Sequence, residues 1–293
     1  MIRARGQAKS SVRRVLPPQK SALAQSALEG VGAGVSLLAI METDAVLRAS
    51  HWLRETPIHG TSQTVMRRVQ AASGREIACV ILDTGSPHVR SEHLLAGIED
   101  AGVLPWLWTR PTSSSLRFAV QTVCAMRWPV IGPVEPSEHV GPESLVLWWK
   151  PTTVTARLVP FLRNAILAAP AALGLSLLEL CASPLCAQSP NELASRANLS
   201  RRSLDRWLRR LRVPPARRLI AARRVMASLA DVIDPSTNLA AVARANGFDS
   251  VGVLRRSFME LLGVEPTSLQ GATEVDSAVS SVLRKIESDW SRD

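Results

Sequence analysis

Residues 238–258 read NLAAVARANGFDSVGVLRRSF, and this stretch decides the fold of the C-terminal half. Apolar residues recur at helical spacing on both sides of Gly247: one pattern includes Val242 and the other includes Leu254. Ser250 stands at an N-cap position, where its hydroxyl can accept a hydrogen bond from the first turn of a helix. Gly247 suits a turn because a left-handed backbone costs glycine little. The stretch therefore predicts two short helices joined by a tight turn.

The same layout occurs 50 residues earlier, in residues 189–208, SPNELASRANLSRRSLDRWL. Ser200 and Leu204 occupy the positions of Ser250 and Leu254. An apolar stripe between the two units predicts one continuous helix over residues 216–233 that fixes their separation; it consists of Leu219, Ala222, Met226, Leu229 and Ile233. Two helix-turn-helix units follow, in which the second helix enters the major groove of DNA and the first braces it.

Apolar residues of the two units are assigned to packing rather than to contact with a ligand. They are Leu193, Ala194, Leu199, Leu204 and Leu208 in the first unit, and Val242, Ala243, Phe248, Leu254 and Phe258 in the second. Arg202 and Arg206 are four residues apart and share a different helix face. Arg256 is the counterpart of Arg206 in the second unit.

Residues 189–269 resemble the AraC/XylS-type DNA-binding domain of bacterial transcription regulators. The resemblance is carried by Ala243, Gly247-Phe248-Asp249-Ser250, Leu254-Arg255-Arg256-Ser257-Phe258 and Gly263-Val264-Glu265-Pro266. In the first unit Ser200, Leu204 and Arg206 match. Leu208 stands where the family has an aromatic residue, and Arg212 stands where it usually has glycine.

The resemblance implies which side chains face the groove. They are Arg202, Asp205 and Arg206 in the first unit and Gly252, Val253 and Arg256 in the second. Arginine matches the two acceptors of a guanine edge. Asp205 either accepts from a cytosine amino group or forms a salt bridge with Arg201 or Arg209. Phosphate contacts, which position the protein without reading sequence, are expected from Ser200, Arg201, Ser250 and Arg255.

Charge is distributed unevenly along the 293 residues, whose net charge is +10. Residues 1–28 hold six basic and no acidic side chains, and we expect a disordered tail there. Residues 29–175 are neutral, whereas residues 176–272 hold 14 Arg against eight carboxylates. A neutral module joined to a basic one is typical of a regulatory domain attached to a domain that binds a polyanion.

The first half alternates strands and helices, which predicts an α/β domain with a parallel sheet. Strands are expected at 35–41, 76–83, 103–108 and 129–131, and helices at 44–55, 61–73, 91–101 and 115–126. Further helices are expected at 153–168 and 173–182. The predicted domains are the tail 1–28, the α/β domain 29–140, a linker and connecting helix 141–175, the all-α DNA-binding domain 176–272 and a C-terminal helical tail 273–293.

The α/β domain resembles the receiver domain of two-component response regulators, a doubly wound, flavodoxin-like sheet. The resemblance implies that Asp83 occupies the phosphoryl-acceptor position, Glu42 the metal-binding position and Thr109 the Thr/Ser position. Gly132 stands where the family has lysine, the cation that supports phosphoryl transfer. We therefore expect a receiver-like domain that is not phosphorylated; an unrelated α/β domain that binds a small molecule is the alternative.

Several functional classes have no support in the sequence. Four cysteines without a C-x-x-C pair predict free thiols, no metal site and no cofactor. No phosphate loop or hydrolase motif occurs, so we do not expect an enzyme. The longest charge-free apolar run, residues 165–178, is too short for a membrane span. The basic start has no signal-peptide pattern, which predicts a cytoplasmic protein.

We therefore expect a sequence-specific, DNA-binding transcription regulator whose partner is double-stranded DNA. A second copy of the chain, a protein or a small ligand is expected at the N-terminal domain. Two alternatives are open: a one-component regulator that senses a small molecule, and a partner-binding scaffold that has lost specific DNA binding.

Overall fold

The computed structural model describes residues 36–40, 58–59, 77–84, 89, 92–100, 104–109, 112–125, 152–182, 189–271 and 275–290. The strands are β1 (Ser36–Ile40), β2 (Ile58–His59), β3 (Ile77–Asp83) and β4 (Leu104–Trp108). The helices that precede the basic domain are α1 (Glu92–Asp100), α2 (Ser113–Ala125), α3 (Thr152–Ala168) and α4 (Ala171–Ala182). The later helices are α5 (Pro190–Arg196), α6 (Arg201–Arg210), α7 (Ala216–Ile233), α8 (Leu239–Ala245), α9 (Val251–Leu262) and α10 (Val275–Trp290), with a 3-10 turn at Pro266–Leu269.

The strands form a sheet in the order β2-β1-β3-β4, and all three neighbouring pairs are parallel. Parallel pairing is the direction that the alternation of strands and helices predicts. β2 lies at Ile58–His59, where the apolar pattern is weak. Its parallel pairing with β1, in which Leu38 lies opposite Ile58, decides its place in the sheet. The receiver-like identity of this region stays a prediction.

Elements expected within the described residues lie within two residues of their predicted bounds. The predicted helix over residues 216–233 matches α7 at both ends. Other predictions lie outside the described residues: the tail 1–28, the helices 44–55 and 61–73, the strand 129–131, Glu42 and Gly132.

A helical hairpin, α3 and α4, connects the two halves of the chain. α2 packs against both of its helices, while α3 contacts α7 and α10, and α4 contacts α5 and α7. Gly174 lets α4 approach α3 closely, because a Cβ there would lie 2.5 Å from the Ile166 carbonyl oxygen. The buried side chains of α2, the hairpin and the C-terminal helices belong to one continuous core.

The basic domain is built around α7, which contacts α5, α8, α9 and α10. The side chains predicted to pack in the two units and along α7 are buried, except that Leu199 and Ile233 are half-buried. Burial of each Leu or Phe contributes about 1.5–3 kcal/mol, which is enough to hold short helices that would not form alone.

The C-terminal residues 273–293, predicted to be a helical tail, contain α10, which packs on α7, α9 and α3. Its buried side chains are Val279, Val282 and Ile286. Among the described helices there is none with the length and apolar character that a membrane crossing requires.

Candidate nucleic-acid interface

The first unit turns tightly between α5 and α6. The Leu199 amide donates to the Ala194 carbonyl oxygen at 2.9 Å, and Asn198 has a left-handed backbone with φ 54°. This geometry closes the end of α5 and satisfies its last carbonyls. Ser200 then caps α6, because its Oγ accepts from the Ser203 amide at 3.2 Å.

The second unit repeats this turn between α8 and α9. The Phe248 amide donates to the Ala243 carbonyl oxygen at 2.9 Å, and Gly247 has φ 71°. Ser250 Oγ accepts from the Val253 amide at 3.3 Å. The predicted N-caps at Ser200 and Ser250 and the predicted left-handed glycine are confirmed.

The outward face of α6 is made of arginines. Leu204 and Leu208 are buried, whereas Arg202 and Arg206 are exposed on the opposite side of the helix. Because these two side chains are one helical turn apart and unburied, α6 presents two guanidinium groups to anything that lies against it.

Two further arginines on this face, Arg209 and Arg210, were not among the candidates from sequence. Both are exposed. Arg210 lies over the ring of Trp207 at 5.1 Å from its centroid, and Arg209 Nε donates to the Asp205 carbonyl oxygen at 3.4 Å. The spacing of four residues from Arg206 to Arg210 is the signal that would have identified the second of them.

Asp205 forms a salt bridge with Arg201, one of the two roles considered for it. Arg201 Nε lies 3.0 Å from Asp205 Oδ2, and each side chain is 38% exposed. Arg201 Nη1 is buried and has no hydrogen-bond partner among the described residues. In this conformation the two side chains pair with each other and neither is presented on the outward face of α6.

The outward face of α9 is less basic. Gly252 and Arg256 are exposed, while Val253 is half-buried and packs against the core. Arg255 is exposed and lies 3.8 Å from Glu265. Of the three residues expected to face the groove in this unit, Arg256 is therefore the one that offers a charged side chain.

Arg224 on α7 lies between the two units. Its guanidinium is 5.9 Å from the centroid of the Phe248 ring in the second unit. Burial lowers the pKa of Arg224, and the nearby carboxylates of Asp249 and Glu192 oppose this shift. Since Glu192 belongs to the first unit and Asp249 to the second, the charge of this arginine is influenced by carboxylates of both units.

A partly buried ion pair joins the connecting hairpin to the first unit. Arg196 Nη1 on α5 lies 2.7 Å from Glu179 Oε1 on α4, and Arg196 Nη2 lies 3.1 Å from Glu192 Oε1. Burial raises the pKa of Glu179, and the charge of Arg196 acts in the opposite direction. The arrangement couples the position of α5 to that of α4.

Two of the three predicted receiver-like residues lie at the carboxyl ends of neighbouring strands of the sheet. Asp83 ends β3 opposite Trp108, and Thr109 follows β4. Both side chains are buried, Asp83 completely. Thr109 Oγ1 has no hydrogen-bond partner among the described residues. The third residue, Glu42, lies outside the described part of the chain.

Candidate metal ligands are not grouped in the described parts of the chain, where no cluster of three or more His, Cys, Asp or Glu side chains occurs. Neither Cys124 nor Cys181 takes part in a disulfide. The candidate site on the basic domain is formed by the two capped helices, α6 and α9, and their exposed arginines.

Comparison with known proteins agrees with this geometry over part of the chain. Residues 193–272 match a family described as "Helix-turn-helix domain". No curated protein and no solved structure matches the chain. Residues 193–272 form a helix-turn-helix domain, and this match supports a DNA-binding transcription regulator of the AraC type.

Proposed function

We propose that the protein is a sequence-specific transcription regulator that reads two successive major grooves with α6 and α9. The observation that supports this most is that each helix is capped by a serine, buries apolar side chains on one side and exposes arginines on the other. A helix of this kind can enter a major groove without exposing its apolar side. α7 separates the two helices. Two major-groove sites one helical turn apart, about 34 Å, lie on the same face of the duplex.

Base contacts are assigned to Arg202 and Arg206 in α6 and to Arg256 in α9. Each guanidinium can donate two hydrogen bonds to the O6 and N7 acceptors of guanine. Gly252 permits close approach of the helix backbone to the bases. Val253 would offer only apolar contact at its exposed edge.

Phosphate contacts are assigned to the helix starts. Ser200 and Ser250 lie there and are exposed, as is Arg255. Arg201 would have to exchange its pairing with Asp205 for a phosphate, at a cost of about 0.3–0.5 kcal/mol for an i,i+4 pair. These contacts set the register of the protein on DNA without reading sequence.

The test is alanine substitution of the two matched arginines. Arg206→Ala and Arg256→Ala should each weaken binding to a selected site by about 1–3 kcal/mol and relax specificity at one base pair. Arg117→Ala, an exposed arginine of α2 outside the domain, is the control and should leave affinity unchanged. Equal loss on all DNA sequences would reduce the two arginines to phosphate contacts.

A scaffold that has lost DNA binding is the rival function. It would retain no duplex of any sequence at low salt, where non-specific electrostatic binding is strongest. The exposed arginines of α6 favour the DNA-binding function, because a row of exposed positive charges on one helix face is suited to contact with a polyanion.

We further propose that the receiver-like domain, residues 29–140, regulates DNA binding without phosphoryl transfer. Asp83 is fully buried, so an in-line attack on a phosphodonor would require the edge of the sheet to open. The absence of lysine at position 132 removes a cation that the transition state needs. The receiver-like domain would act on DNA binding through a contact with a second copy of the chain or with a protein partner.

Incubation of the protein with a small phosphodonor and Mg²⁺ tests this second proposal. No mass increase at Asp83 and no change in DNA affinity are expected. A stable acyl phosphate on Asp83 that tightens DNA binding would contradict it. A small molecule that co-purifies with the α/β domain would favour the ligand-sensing alternative.

A further inference from the structure

The outward faces of the two reading helices can be compared position by position, because equivalent residues differ in number by 50. The four outward positions of α6 hold Arg202, Arg206, Arg209 and Arg210, and those of α9 hold Gly252, Arg256, Met259 and Glu260. All eight residues are exposed, and Met259 is 46% exposed. The first helix thus presents four positive charges where the second presents one positive and one negative charge.

The same asymmetry extends to the whole of each unit. Residues 189–215 contain seven Arg and two carboxylates, a net charge of +5, whereas residues 238–269 contain three Arg and three carboxylates and are neutral. Two carboxylates of the second unit lie beside arginines, one of which belongs to α7. Arg255 Nε is 3.8 Å from Glu265 Oε2, and Glu260 Oε2 is 4.0 Å from Arg218 Nη1 of α7.

DNA affinity comes largely from cations that displace counterions at the phosphates, and each contact contributes about 0.9 to the slope of log affinity against log salt. The last turn of a reading helix lies near the phosphates as its first turn enters the groove. In α6 that turn carries Arg209 and Arg210. In α9 the equivalent positions carry Met259, which is uncharged, and Glu260, which phosphates repel.

We propose that the two units have unequal roles. The first unit provides most of the electrostatic contribution to DNA affinity, whereas the second contacts bases through Arg256 and contributes little to that affinity. This inference rests on the proposed DNA-binding function. The binding site is then asymmetric, with a strongly specified, guanine-containing half-site under α6 and a weakly specified half-site under α9.

An exchange of the last turns between the two helices tests the proposal in the 293-residue chain. Arg209→Met/Arg210→Glu gives α6 the residues of α9, and Met259→Arg/Glu260→Arg gives α9 the residues of α6. A third variant, Arg117→Glu/Arg163→Met, makes the same charge change as the first at exposed positions on α2 and α3. Helical circular dichroism of each variant checks that the fold is retained.

The readout is the affinity for a duplex selected from random DNA, measured at several KCl concentrations. Arg209→Met/Arg210→Glu should make the salt slope shallower by about 2 and weaken binding at least ten-fold near 0.15 M salt, since about one unit of slope is lost per phosphate contact. Met259→Arg/Glu260→Arg should make the slope steeper. The charge control should leave the slope unchanged.

Two results would overturn the proposal: a first variant that behaves like the charge control, or a second variant with the slope of the parent protein. Failure of the parent protein to bind any duplex at low salt is a different outcome, which rejects the proposed DNA-binding function itself.

Discussion

Replacement of Gly174 by alanine should destabilise the protein, because this glycine sets the distance between the two helices of the connecting hairpin. A Cβ at position 174 would lie 2.5 Å from the Ile166 carbonyl oxygen and 3.2 Å from Leu116 Cδ1. The shorter distance is about 0.9 Å below the 3.4 Å at which ordinary contact begins. The obstacle is backbone, so α3 and α4 must separate.

The expected magnitude follows from two opposing effects. Overpacking of a core costs about 1–3 kcal/mol. Alanine in the interior of a helix stabilises it by about 1 kcal/mol relative to glycine. We expect Gly174→Ala to lower the free energy of unfolding by about 1–2 kcal/mol, because a carbonyl oxygen cannot move aside as a flexible side chain can.

Urea denaturation followed by helical circular dichroism measures this change, and Gly252→Ala is the matched control. A Cβ at position 252 would meet only Ser250 Oγ, at 3.7 Å, so that substitution should be neutral or stabilising. The close packing of the hairpin is refuted if Gly174→Ala is as stable as Gly252→Ala.

Three further predictions concern other parts of the chain. Arg212, the residue that stands where the resembled family has glycine, adopts φ 53°, so Arg212→Gly should stabilise the protein by about 1 kcal/mol in urea denaturation; a loss of stability would mean that its side chain makes a compensating contact. Burial raises the folded-state pKa of Glu179 above 4.5, its ordinary value, so the stability of the parent protein should fall as pH rises above that value. The Glu179→Gln variant should lack this fall in urea titrations across the same pH range, and equal pH profiles would show that the raised pKa has no effect on stability. Deletion of residues 1–28, which hold six basic groups, should make the salt slope of DNA binding shallower; an unchanged slope would show that this segment does not contact DNA.

Local signals in the sequence were sufficient for the helix-turn-helix units. The N-caps at Ser200 and Ser250 and the left-handed turn at Gly247 depend on residues a few positions apart, and all three are found as predicted. The bounds of α7 follow from an uninterrupted apolar stripe that starts after two prolines. Features of this kind can be predicted because the physical causes lie next to each other in the chain.

Side-chain partners and long-range packing were not predictable in the same way. The sequence left Asp205 with two roles, and the choice of Arg201 as its partner depends on rotamers. Val253 was expected to face the groove and is half-buried, because the core reaches round α9 at that position. The contacts of α10 with α3, such as Arg157 Nη2 to Asp276 Oδ1 at 3.4 Å, join residues too distant in sequence for any local pattern.

Selection of binding sites from random double-stranded DNA with the purified protein tests the central claim most directly. We predict an enriched sequence with two elements about one helical turn apart. A guanine in one of them should lose its enrichment when the selection is repeated with Arg206→Ala. Recovery of no enriched sequence, with no duplex retained even at low salt, would contradict the claim that α6 and α9 read DNA.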